Sequence, residues 1–260
     1  MNSGFLSFNP SSSFEKISSL SELKASASLC HTPRQFRALL DSLQTFFPFK
    51  NLICIWGYPS RKTIRYIFNH SFPIEFVRWY LTKGMLWQGP MFQEWLRTNK
   101  SQIGYEVRRR LKGQFDPEIL ERAKRSNLEG GLLGGIHTRD VWIFFAMIMG
   151  SEESCRAHLK QFDQILPVLA KTLRRCCPRP LLTKREAIVL ERRTMGELIK
   201  QIAAAEKISQ RTVRKHLQSI KRKLYTDDLV NAVVIAVRSG MLLHTVEKEP
   251  TSRVTSRKEP

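Results

Sequence analysis

The stretch ISQRTVRKHLQSIKRKL, residues 208–224, carries Arg211, Arg214, Lys215, Lys221, Arg222 and Lys223 and no Asp or Glu. At about 100° per residue, Val213, Leu217, Ile220 and Leu224 fall on one narrow stripe. Arg211, Arg214, Lys215, Gln218 and Arg222 lie opposite. Such a helix buries one side and presents a comb of cations with an amide on the other. Arg or Lys can reach guanine O6 and N7, and Gln can pair with adenine N6 and N7, so the comb suits a DNA major groove. The plainer alternative is a solvated basic face.

The neighbouring elements must hold this helix in place. Ser209 has the chemistry of its N-cap. In front lies ELIKQIAAA, a short helix with Leu198, Ile202 and Ala205 on one face, and the tight turn between them predicts a helix-turn-helix. Thr183 and Glu186 form a T-x-x-E capping box that opens an earlier helix through about Arg193, broken at Gly196. Asp227 or Asp228 caps a fourth helix with Leu229, Ala232, Val233, Ala236 and Val237 at helical spacing, ended by Gly240. Residues 182–243 thus read as an all-α, four-helix domain.

The whole chain agrees with a polyanionic partner. Its 260 residues include 43 basic and 23 acidic side chains, a net charge of +20, which favours nucleic acid or an anionic membrane surface. The longest apolar run, VWIFFAMIM at 141–149, is half of the roughly 18–20 residues that span a bilayer. The N-terminus has no basic start, no sustained apolar core and no small-residue cleavage site, so a cytoplasmic protein without a membrane partner is expected. Of the five cysteines, Cys30, Cys54 and Cys155 stand alone and Cys176 and Cys177 are adjacent, which suits buried thiols and gives no metal-ligand spacing with the histidines. A P-loop, a dinucleotide fingerprint and a G-x-S-x-G elbow are all missing. Asp116, Glu118 and Glu121 share a helix but read as charge complementing its dipole, and His137 and Asp140 lie near a turn with no nucleophile in view. Neither an enzyme nor a cofactor is expected.

Residues 1–30 are Ser-rich and read as a flexible N-terminus, and 244–260 as a flexible tail. Between 31 and 175 lies a mixed block. RQFRALLDSLQTFF places Phe36, Leu39, Leu40 and Leu43 on one helical face. NLICIWGY and TIRYIFN suit strands, PIEFVRWYLTKG a helix, and DPEILERAKRS a helix capped by Asp116. GGLLGGIHT and VWIFFAMIMG suit two strands joined around Arg139 and Asp140, and a long helix bent at Pro167 closes the block. CCPRPLL marks a linker at 176–181. The fold class is α+β: an N-terminal α/β sandwich-like domain followed by the all-α domain.

The C-terminal block resembles the LuxR-type (GerE-like) helix-turn-helix domain. The resemblance rests on LTKREAIVL, Gly196, Ile202-Ala203, ISQRTVRKH, Ile220, Lys223-Leu224, Ala232 and Gly240, which keep the family's spacing over about sixty residues. It implies that Arg214, Lys215 and Gln218 face base edges. It implies phosphate contacts at Thr183, Lys200, Arg211, Thr212 and Lys221, with Ser209, Gln210 and Arg222 at the same surface. It further implies a homodimer paired through the fourth helix and, from the family's tendency to activate, RNA polymerase as a partner. Three positions depart from the pattern: Gln201 for a usual Glu, and Glu206-Lys207 where a Leu-Gly pair is typical. A Glu at a half-buried site costs free energy unless it is paired or turned outward.

The preceding block resembles the acyl-homoserine-lactone-binding domain of quorum-sensing LuxR proteins over about 140 residues. Phe76 and Tyr80 match a Trp-x-x-x-Tyr pair, and Pro90 follows Tyr80 by ten. The motif's Asp, which accepts the ligand amide in that family, is Gly89 here. Phe76, Tyr80, Trp87, Pro90 and Tyr105 are the candidate ligand-pocket residues, although these aromatics, with Trp79 and Trp95, would equally fill a core. Missing acids after NLICIWGY exclude a phosphorylated receiver. The expected function is a sequence-specific, dimeric transcriptional regulator with a divergent sensor. The alternative is a nonspecific nucleic-acid-binding protein, since the basic excess continues through residues 1–172.

Overall fold

The computed structural model describes residues 17, 19–59, 63–177, 181–239 and 241–242 and divides into two compact units, one ending at Leu181 and one beginning at Leu182. In the first unit, α1 (Leu20–Ser28) starts where the Ser19 side chain accepts the Glu22 N–H at 3.2 Å. Next, α2 (Pro33–Leu43) opens on a reciprocal capping box between Thr32 and Gln35. Phe36, Leu39, Leu40 and Leu43 are all fully buried, the stripe that their spacing predicts. The expected flexible segment is corrected over its last residues. Leu23, Ala27 and Cys30 are buried in the main core, and that burial offsets the cost of ordering a Ser-rich helix. Residues 1–16 of that expectation lie outside the described residues.

The unit continues with β1 (Phe49–Tyr58), β2 (Thr63–Asn69), α3 (Ile74–Thr82), α4 (Met85–Gln88), α5 (Pro90–Thr98), β3 (Gln102–Ile103), α6 (Gly104–Arg110), α7 (Pro117–Arg125), β4 (Gly131–His137), β5 (Trp142–Met149) and α8 (Glu152–Cys176). The strands form one sheet in the order β2-β1-β5-β4-β3, with every neighbouring pair antiparallel. Period-two alternation sorts the side chains. Leu52, Cys54, Phe145 and Met147 join the core that includes the buried faces of α1, α2 and α8. Ile53, Ile55, Phe144 and Ala146 face the other way and line a cavity with residues of α3, α5 and α7. The result is a three-layer sandwich, the α+β class expected. It also explains VWIFFAMIM: β5 is the middle strand, and all eight of its residues are buried because both faces are covered.

Helix α8 runs on through Pro167 for 25 residues. Cys176 and Cys177, expected in a linker, are each 2% exposed and belong to the first unit's core. The Leu181 N–H donates to the Arg65 carbonyl at 2.8 Å, and residues 178–180 lie outside the described set.

The second unit contains α9 (Lys184–Thr194), α10 (Ile199–Ala205), α11 (Gln210–Lys223) and α12 (Leu229–Arg238). Among the described residues, Val189, Leu190, Ile202, Val213, Ile220, Leu224, Ala232, Ile235 and Ala236 are its fully buried hydrophobic side chains. Two helical faces differ from expectation. Leu198 precedes α10 in extended backbone, so it leaves the helical stripe and is 53% exposed; Ile202 is buried as its spacing predicts, joined by Ala203 rather than by Leu198 and Ala205. On α12, Ile235 is buried while Val237 is 54% exposed, a rotation of the inward face by about one position. Asp228 is the cap, accepting the Asn231 N–H at 2.9 Å. Gly240 and the 244–260 tail lie outside the described residues. Among the described residues no helix is long and apolar enough to cross a membrane.

Candidate nucleic-acid interface

Helix α11 begins at Ser209, whose Oγ accepts the Thr212 N–H at 3.0 Å and lies 2.9 Å from the Thr212 hydroxyl. Val213, Leu217 and Ile220 turn inward, and Leu224 follows them at the C-cap. Gln210, Arg211, Arg214, Lys215, Gln218 and Arg222 are exposed on the opposite side. Thr183, Lys200 and Ser209 are also exposed, while Thr212 and Lys221 are half-buried. The Lys221 ammonium donates to the Asp227 carbonyl at 3.1 Å, so part of its capacity is committed within the unit. The Thr183 hydroxyl accepts the Glu186 N–H at 3.2 Å, which completes the capping box of α9 with Glu186 accepting the Thr183 N–H at 2.7 Å.

Two carboxylates make contacts between helices that residue spacing alone does not reveal. Glu186 is 4% exposed and accepts a hydrogen bond from the Lys223 ammonium at 2.7 Å, tying α9 to the end of α11. Burial pushes the Glu186 carboxyl up, but Lys223 and the Thr183 amide outweigh that effect and hold it below the usual carboxylate range. Glu206 is paired as well. Arg185 and Arg192 donate to its two oxygens at 2.9 and 2.8 Å, so a carboxylate replaces the family's apolar residue without leaving an uncompensated charge.

The turn itself is regular. The Lys207 N–H donates to the Ala204 carbonyl and the Ile208 N–H to the Ala203 carbonyl, the two bonds of a Schellman ending for α10. Lys207 occupies the left-handed position at φ 54°, where glycine is favoured. Gln201 accepts the Leu198 N–H at 2.6 Å and so does the capping work of the usual Glu.

The first unit holds the other set of candidates. Its cavity has a volume of about 140 Å3 and a mostly apolar lining that includes Phe76, Tyr80 and Pro90. Trp87 and Tyr105 do not line it. Trp87 packs edge-on against Phe92 and Trp142, and Tyr105 packs against the main core, so the core alternative holds for these two. Trp95 is fully buried among Phe92 and Phe144. Gly89 shows why its residue type matters. A Cβ there would lie 2.5 Å from the Tyr80 hydroxyl oxygen and 2.6 Å from the Met85 carbonyl oxygen. Burial pushes the Tyr80 phenol upward, so it is neutral. Arg108 and Glu129, 3.9 Å apart, bring charge to the lining that the sequence reading missed. Asp116 and Glu118 are structural: Asp116 caps α7, and Glu118 accepts from Trp79 and Arg122, both at 3.0 Å.

Comparison with known proteins agrees with the second unit's architecture. Residues 180–236 match the family described as bacterial regulatory proteins, luxR family, which is a family of regulators rather than enzymes. The chain is similar to the spore germination protein GerE of Bacillus subtilis (strain 168), at 41% identity over 64 residues, 25% of this chain and 86% of GerE. It is also similar to a glycerol metabolism activator of Pseudomonas putida, at 44% identity over 55 residues, 21% of this chain; the match spans only 25% of that relative's length. Among solved structures, crystalline Escherichia coli SdiA aligns with a TM-score of 0.48 at 14% identity, covering 84% of this chain and 95% of that one. SdiA in complex with octanoyl-rac-glycerol aligns at 0.47 and 14%, covering 85% and 94%.

Proposed function

Because the chain belongs to the luxR family of bacterial regulatory proteins, we propose that it is a sequence-specific, cytoplasmic transcriptional regulator that binds double-stranded DNA as a homodimer. One observation carries this reading: α11 divides into a buried seam of Val213, Leu217 and Ile220 and an exposed face of Arg214, Lys215 and Gln218. In this reading Arg214 and Lys215 donate to guanine and Gln218 pairs with adenine, while Arg211, Lys200 and Thr183 meet phosphates. Val230 and Val237, 68% and 54% exposed and two turns apart on α12, supply an apolar stripe for pairing with a second copy. Two copies then read half-sites about 10 base pairs apart, and RNA polymerase is the partner if the bound dimer activates.

The first unit serves as a sensor whose cavity takes a small, mainly apolar molecule. The Tyr80 hydroxyl fills the space beside Gly89, so a ligand that depends on a carboxylate at that position is not accommodated. Mobility-shift competition on fragments recovered with the protein from its host tests the function. The reading requires a preferred fragment that random DNA displaces poorly at about 0.15 M salt. Equal competition by random DNA replaces it with the nonspecific nucleic-acid-binding alternative.

A further inference from the structure

The apolar cavity of the first unit has two charged side chains in its described lining, Arg108 of α6 and Glu129 just before β4. The Arg108 side chain is 27% exposed and that of Glu129 45%, so the pair stands at the edge of the cavity rather than at its floor.

Helix α6 ends in three consecutive arginines, and their partners differ. Arg109 donates to both oxygens of Glu152 at 2.5 and 2.8 Å, and Arg110 donates to Glu94 at 2.7 Å. Arg108, the one that lines the cavity, pairs only with Glu129 among the described residues. That carboxylate is 3.9 Å from its Nη1, beyond hydrogen-bonding distance. The Arg108 Nε is buried and has no hydrogen-bond partner among the described residues. A buried donor left without an acceptor costs free energy. A solvated ion pair with Glu129 accounts for the tip of Arg108 but not for that Nε. An acceptor brought to the cavity by a ligand would satisfy it, and a carboxylate suits a guanidinium best because it accepts two parallel bonds. Glu129 is the more exposed partner, so it can turn to water at little cost when a second carboxylate arrives.

The remaining wall, with Ile53, Ile55, Phe76 and Phe144 among it, suits hydrocarbon. An apolar void of about 150 Å3 takes a benzene-sized guest, and this one is about 140 Å3. Resting on the reading of this cavity as a sensor site, we infer that its ligand is a small amphiphilic carboxylate, with a hydrocarbon body of about six carbons inside and an anionic head held by the Arg108 guanidinium.

Calorimetric titration of the full-length protein at neutral pH and about 0.15 M salt tests this with heptanoate, whose tail has that length. Heptan-1-ol and heptylamine carry the same tail on a neutral and a cationic head. Heptanoate should bind about tenfold or more tightly than either. Arg108→Met should weaken heptanoate about tenfold and leave heptan-1-ol unchanged. Should that variant fail to fold, Glu129→Gln, which removes a like charge at an exposed site, should tighten heptanoate about threefold with heptan-1-ol again unchanged. Heptan-1-ol as tight as heptanoate would keep the cavity as a ligand site and overturn the carboxylate. Preference for heptylamine would assign the head group to Glu129 instead and overturn it too. Binding of none of the three at millimolar concentration overturns this inference together with the sensor reading. Wild-type heptanoate affinity in Arg108→Met, or in Glu129→Gln where that variant stands in for it, removes Arg108 from the site.

Discussion

The Lys223 ammonium at the end of α11 lies 2.7 Å from the Glu186 carboxylate on α9, and that carboxylate also accepts the Thr183 N–H at 2.7 Å. One buried group therefore caps the first helix of the second unit and anchors the last turn of α11, the helix whose exposed side chains are proposed to face bases. The carboxyl's lowered pKa fixes the sign of its pH dependence. Its stabilising contribution is complete above the unfolded value of about 4.3 and is lost as pH falls through the lower folded value. Protection factors of α11 amides in hydrogen exchange should hold steady from neutral pH down to about pH 5 and decline below about pH 4. Glu186→Gln should show a loss of about 2 kcal/mol already at neutral pH. Identical protection in the two proteins at neutral pH would contradict the anchoring role.

Lys207 closes the turn between α10 and α11 in left-handed backbone at φ 54°. A non-glycine residue there carries strain of about 1 kcal/mol or more. Lys207→Gly relieves it at some cost in unfolded-chain entropy, with an expected net gain of about 0.5 kcal/mol. Chemical denaturation of the paired proteins measures the difference. Destabilisation by this change would mean that the turn does not hold Lys207 in that conformation.

The exposed pair on α12 gives a prediction about assembly. Val230→Asp and Val237→Asp replace outward-facing side chains and leave the buried Ala232, Ile235 and Ala236 untouched. Their stability effects should stay within about 0.5 kcal/mol. Sedimentation should shift towards monomer, and affinity for a two-half-site fragment should fall by about tenfold or more. A double variant that still sediments and binds like wild type removes α12 from the dimer interface.

Gly89 gives a prediction about the cavity. Any side chain there meets the Tyr80 hydroxyl and the Met85 carbonyl. Gly89→Ala should cost about 1–3 kcal/mol through overpacking. Adding Tyr80→Phe should recover only part of that loss, because the backbone carbonyl remains. Gly89→Asp, which restores the residue type of acyl-homoserine-lactone receptors, should therefore not confer binding of such a lactone. Micromolar binding by that variant would show that the site accommodates the carboxylate after all.

Elements governed by periodicity were legible in the sequence. The buried stripes of α2 and α11, the apolar run of β1 and the capping box of α9 each follow from residue type and its spacing. Contacts between elements were not. Nothing local marks Glu206 as the partner of Arg185 and Arg192, since those residues lie on a different helix. The order in α1 was hidden because its Ser-rich composition suggested no core, while the layer it packs against comes from residues far along the chain. Trp87 and Tyr105 were ambiguous for the opposite reason: an aromatic suits a core or a pocket equally, and only the layer geometry decided. The bulge in β2 at Arg65, where Trp56 pairs with Tyr66 and Gly57 with Ile64, could not be read at all, because it exists only in the register between two strands.

The proposed reading of base edges by the exposed face of α11 predicts different behaviour for two neighbouring arginines. Arg214→Ala and Arg211→Ala are to be measured on a preferred fragment and on random DNA across a range of salt. Arg214→Ala should cost about 1–3 kcal/mol on the preferred fragment and much less on random DNA, so that specificity collapses. Arg211→Ala should weaken both alike and make the log-log salt slope shallower by about one. Equal losses on both DNAs for Arg214→Ala, matching those of Arg211→Ala, would mean that α11 does not read bases through Arg214.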